Sequence, residues 1–178
     1  MQSQAFIDFL VYFQGVRDYF QCHEVLEDEW LKDPPGERKS YLKGFIAIAV
    51  SQYHHRRGNF RGAKRAMENA VKRLKDDHSV IQSFGLQADV LMDQLREKIR
   101  EIHAGKPYKS INFPIKDSEL IQICQKLSRR KGCVFGNPSD MSDEQLIHKH
   151  QLPNRDKIIS KREKAYRRKK RWKQDKED

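Results

Sequence analysis

Residues 44–50 read GFIAIAV, inside the longer run ERKSYLKGFIAIAVSQYHHRRG that spans 37–58. Between Gly44 and Val50 no position carries a polar or charged side chain, so no face is left for water. A helix that is apolar all round is one surrounded by others. This run is therefore predicted to be the central helix of an all-α bundle. Gly58 and Asn59 close it and open the next helix, NFRGAKRAMENAVKRLK. There Phe60, Ala63, Met67, Ala70, Val71 and Leu74 recur at helical spacing and form one apolar stripe.

The flanks agree with that reading. Upstream, SQAFIDFLVYFQG offers Ser3 as N-cap, Phe6, Phe9, Leu10 and Phe13 as an apolar face, and Gly15 as a stop. A second helix is expected from near Asp18 to Lys32, ended by DPPGE because proline cannot continue the ladder. Downstream, DDHSVIQSFG is a looser stretch before a helix from Leu86 to His103, whose stripe is Val90, Leu91, Leu95, Ile99 and Ile102. AGKPYKSINFPIKD reads as a linker that lays Tyr108, Ile111 and Phe113 extended across the bundle. A short helix capped by Asp117 follows, with Leu120, Ile121, Cys124 and Leu127 inward. KGCVFGNPSD is loop, and SDEQ at 142–145 matches a capping box. The expected architecture is a compact bundle of about five helices with a C-terminal helical, basic extension. Its expected parts are a core over 1–105, packed linker and short helices over 106–154, and a tail over 155–178.

The bulk properties narrow the function classes. The chain of 178 residues carries a net charge of +11, unevenly placed. Residues 1–103 hold 16 basic and 15 acidic side chains, whereas 155–178 hold 12 and 5. High basicity thus describes a tail more than the domain. No apolar run is long enough to span a bilayer, so no membrane partner is expected. The start MQSQAFIDFL lacks the basic region and cleavage site of a signal peptide. The 3 cysteines form no C-x-x-C pair, which fits a reducing cytoplasm. Cys22 and Cys124 lie in helical patterns as small apolar fillers.

The chemistry concentrates in CHEVLEDEW, residues 22–30. At about 100° per residue, His23, Glu27 and Trp30 share the inward face of a helix, and Glu24 flanks them. Asp28 and Glu29 point to solvent. A carboxylate drawn toward a core needs a partner. On the central helix, His54 follows Ala47 and Val50 on the inward side, with His55 and Arg56 off it. If the two helices pack side by side, His23, Glu27 and His54 converge. Two histidines and a carboxylate are an acceptable ligand set for a divalent metal such as zinc, manganese or iron. Glu24 would then be the general base on a water. Tyr19, Trp30, Tyr53, Arg57 and Asn59 would line the same region. The competing reading is a structural polar network, with His23 bonded to Glu27 or Tyr53 and the carboxylates paired to Arg38 or Arg57.

A second element is the tail segment KREKAYRRKKRWK, 161–173. Arg162, Lys164, Arg167, Arg168, Lys169, Lys170 and Arg171 suit phosphates, and Tyr166 and Trp172 suit stacking on unpaired bases. RNA, ribosome or DNA contact is the partner this composition points to.

Two blocks, FQGVRDYFQCHEVLEDEW and GFIAIAVSQYHHRRGNFRGA, together resemble the domain-of-unknown-function family numbered 309. The resemblance is carried by Phe13, Gly15, Tyr19, Phe20, His23, Glu24, Glu27, Trp30, Gly44, Tyr53, His54, Gly58, Asn59, Gly62 and Ala63, and covers roughly residues 5–105. Gln14 stands where that family usually has Asn. The resemblance implies a small all-α bundle and, as to activity, metal-dependent hydrolysis through the same His and Glu residues. Two functions are therefore expected to compete: a metal-dependent hydrolase, and a non-enzymatic binding or adaptor protein whose His/Glu cluster is structural and whose tail meets nucleic acid.

Overall fold

A computed structural model describes residues 3–151 of the chain. One compact unit runs to Ile147, and a second begins at His148, where Lys149–Gln151 form a single 3-10 turn. The basic tail from 155 onward, with Arg162, Lys164, Tyr166, Arg167, Arg168, Lys169, Lys170, Arg171 and Trp172, lies outside the described residues.

The first unit is all-α. Its helices are α1 Gln4–Val11, α2 Tyr19–Trp30, α3 Ser40–Arg56, α4 Phe60–Leu74, α5 His78–Ser83, α6 Ala88–His103, α7 Ser118–Arg130 and α8 Glu144–Ile147. The short α5 falls in the stretch expected to be loose. As expected, α3 is the centre, packed between α2 and α4, and Phe45, Ile48 and Ala49 are fully buried. Its Gly44 lets α4 approach closely: a Cβ there would lie 2.6 Å from Leu74 Cγ. The caps also follow the sequence. Ser3, Asp18, Asn59 and Asp117 each accept from a backbone N–H one turn into α1, α2, α4 and α7.

Aromatic rings fill the space between α1 and α3. Phe6 and Phe9 each meet Phe45, and Phe9 and Phe13 each meet Phe113 from the downstream strap. The strap, residues 106–117, is extended over the bundle with Ile111 and Phe113 buried, as its prolines imply. It is tied at a single bridge between Leu86 and Ile115 and by Gln14 Oε1, which accepts from Phe113 N at 2.7 Å.

Three local expectations are corrected. Gly15 does not stop the first helix. The chain widens into a π-helical turn over Tyr12–Val16 and stops at Arg17, which is left-handed at φ 62°. Gly15 instead makes room for α7, since a Cβ there would collide with Ser128 Oγ. Val90 is half exposed, because the buried ridge of α6 runs Leu91, Leu95, Lys98, Ile102 and Val90 sits about 100° off it. The last cap is Asp143, whose Oδ1 accepts from Leu146 N at 2.9 Å; Ser142 is instead turned back to Asp140 at 2.6 Å.

Two buried arginines sew the loops to this bundle. Arg17 donates to Ile111 O at 2.7 Å, Asn137 O at 2.8 Å and Phe13 O at 3.1 Å, and to Asn112 Oδ1. Arg56 stacks on Tyr19 and donates to Arg17 O at 2.8 Å and Leu146 O at 3.1 Å.

Candidate metal centre

The Asp18 cap starts α2 so that positions 23, 24 and 27 emerge together on its half-buried side. His23 Nδ1 lies 3.4 Å from Glu24 Oε1 and 3.7 Å from Glu27 Oε2. All three side chains are about one-fifth to one-third exposed, so the cluster opens to water at the surface. One ligating atom from each residue lies within 4.8 Å of the others. This is the one such group of His, Cys, Asp and Glu found among the described residues.

The neighbours on α3 give the cluster its charge balance. Lys43 Nζ reaches Glu27 Oε1 at 3.3 Å and sits 3.9 Å from the centroid of the Trp30 ring. Arg38 lies 4.3 Å from the same ring, so one indole carries two cations. Lys43 thus holds the place the sequence reading gave to Arg38 or Arg57. Asp28 is exposed, and Glu29 pairs with Lys32 at 2.5 Å.

His54 is not part of this group. Its Nδ1 meets Asn59 Nδ2 at 3.1 Å, at the turn into α4. Burial, reinforced by Arg57, holds its pKa below the usual imidazole value. The neighbouring assignments are reversed from the wheel: His55 and Arg56 are buried and His54 is half-buried. The less buried stripe of α3 runs Lys43, Val50, His54 and Arg57, so the side taken as inward is the outer one. His55 faces the strap, with Nε2 2.9 Å from Lys106 O, and burial lowers its pKa as well. Of the other residues expected around the site, Tyr19 is fully buried with its hydroxyl 2.6 Å from that of Tyr108. Its pKa is pushed up by burial first and by Tyr108 second. Tyr53 is buried with Arg57 5.3 Å from its ring centroid, and Asn59 caps α4.

Sequence reasoning missed Lys43, Arg17 and Gln52. Lys43 was readable as the only cation in the first turn of α3. Arg17 had no signal, because a charged residue in a turn is ordinarily solvated. Gln52 is fully buried with neither amide atom hydrogen-bonded among the described residues, and no physical account of it follows from the sequence pattern.

Comparison with known proteins fits this anatomy. A family model described as Domain of unknown function (DUF309) matches residues 6–66, from α1 through the His/Glu cluster into α4. The chain is 44% identical over 170 residues to the uncharacterized protein YpuF of Bacillus subtilis (strain 168), which covers 96% of this chain and 98% of that one. No solved structure matches. The relation to YpuF spans nearly the whole of both chains, and the family model falls on the helices that carry the cluster. The chain belongs to the family of the domain of unknown function DUF309.

Proposed function

We propose that His23, Glu24 and Glu27 hold a divalent metal ion and that the protein is a metal-dependent hydrolase. The observation that supports this is the convergence of an imidazole nitrogen and two carboxylates within 4.8 Å on the half-buried side of one helix. The donor set fits: one nitrogen and two oxygens suit zinc, manganese or iron. Three protein donors leave a position open, as catalytic sites do and structural sites do not. Glu24 stands here as a donor in place of His54. A metal at this point supplies Lewis-acid polarisation and lowers the pKa of water. The chain's own residues supply the rest. Lys43 and Arg38, held on Trp30, place positive charge beside the cluster and favour an anionic substrate group. The free cysteines, with Cys22 and Cys124 buried, support a reducing, cytoplasmic setting for the site.

Calorimetric titration with zinc, manganese and iron(II) is the test. The full chain should bind one equivalent, and His23→Ala and Glu27→Gln should each weaken binding by at least about tenfold. Lys43→Met should tighten it several-fold, because a cation 3.3 Å from Glu27 opposes a second cation there. Absence of any metal uptake would instead make His23 a bridge between two carboxylates, with a purely structural role.

A further inference from the structure

We propose that the solvent face of α4 binds a nucleic-acid strand through Arg61, Arg65 and Lys72. The three side chains are exposed, and at 100° per residue they fall within about 40° of one another. They extend over about 16 Å of helix. None of them forms an ion pair among the described residues. Lys64 and Lys75 flank the row; Glu68 lies within it, between Arg65 and Lys72, and is engaged by Lys64 at 3.9 Å, and Asp76 is engaged by Lys75 at 3.8 Å.

This imbalance is not the general habit of the surface. On α6, Arg96 pairs with Asp93 at 3.0 Å, Lys98 with Glu101 at 2.5 Å, and Arg100 with Glu97. On α7, the exposed Arg129 and Arg130 sit in the last turn, where the helix dipole stabilises a cation. On α4 the dipole favours Lys72 in the last turn and works the other way on Arg61. Arg61 is the second residue of the helix, whose first turn contains no acid. A cation there is opposed by the positive end of the dipole. Neither an ion pair among the described residues nor the dipole stabilises the Arg61 guanidinium, which leaves its charge to an outside partner. A linear row of unpaired cations complements a linear polyanion, and phosphate contact requires no apolar surface.

The test measures binding of the full chain to a fluorescein-labelled single-stranded oligonucleotide of mixed sequence, across about 50 to 200 mM salt. The variant is Arg61→Gln/Arg65→Gln/Lys72→Gln, whose circular dichroism should match the parent. The charge-matched control is Lys126→Gln/Arg129→Gln/Arg130→Gln on α7. The expected result is a loss of about tenfold or more for the α4 variant, with the slope of log affinity against log salt smaller by about 2. The α7 control should lose clearly less. Equal losses in the two variants, no loss in the α4 variant, or no binding by the parent chain would overturn the proposal. So would displacement of the oligonucleotide by polyglutamate at matched charge, which would point to an acidic protein as the partner.

Discussion

Arg17→Ala lowers the unfolding free energy by about 3–5 kcal/mol. Arg17 is 2% exposed and serves the buried carbonyls of Phe13 and Ile111 and that of Asn137 at the surface. Each orphaned buried acceptor costs about 1–3 kcal/mol, and partial rewetting returns some of it. Those carbonyls belong to the end of the first helix, to the strap and to the loop after α7, so one side chain closes three segments on each other. Arg17 also occupies the left-handed region at φ 62°, where glycine would be easier by about 1 kcal/mol. The two effects separate in a pair of variants. Urea unfolding should rank the parent above Arg17→Gly, and Arg17→Gly above Arg17→Ala. Amide exchange at Ile111–Phe113 should accelerate in both. A glycine variant as stable as the parent would mean that the turn geometry matters and the hydrogen bonds do not.

Gly44→Ala costs about 2–3 kcal/mol by overpacking. The added Cβ would lie 2.6 Å from Leu74 Cγ and 2.8 Å from its Cδ2, and Leu74 is itself fully buried. Nothing on that line can yield without moving α4 away from α3. Leu74→Ala alone should cost about 2–5 kcal/mol by leaving a cavity. In the double variant each change relieves the other. Its cost should fall below the sum of the single costs by about 1–2 kcal/mol, read from urea curves of the four proteins. Additivity within about 0.5 kcal/mol would contradict the close crossing of these helices.

The parts of this molecule that were legible in its sequence are those governed by local chemistry. The run from Gly44 to Val50 announced a central helix because it leaves no wet face, and α3 is that helix. Ser3 and Asp117 announced the starts of α1 and α7 as caps, and the boundaries read at Asp18 and Asn59 are the caps of α2 and α4. The strap was legible because proline excludes helix while Ile111 and Phe113 demand burial. The errors arose where tertiary contact overrides local preference. Gly15 reads as a stop but serves α7, 113 residues away at Ser128. Arg56 reads as off the inward side and Arg17 carries no signal, yet both satisfy distant carbonyls that no periodicity reveals. The candidate site divides the same way. His23, Glu24 and Glu27 come from one turn of one helix, and helical spacing alone brings them together. His54 and Lys43 share one face of α3, and which of them meets α2 depends on where along the axis the two helices pack, because they lie about 16 Å apart along it.

The central claim is that His23 coordinates a metal through the atom that faces Glu24 and Glu27. The most direct measurement is the long-range proton–nitrogen spectrum of the histidine imidazoles during a zinc titration. The account predicts that the Nδ1 resonance of His23 shifts and saturates at one equivalent, while those of His54 and His55 stay in place. A titration that leaves His23 unmoved, or that moves His54 in its stead, would contradict it.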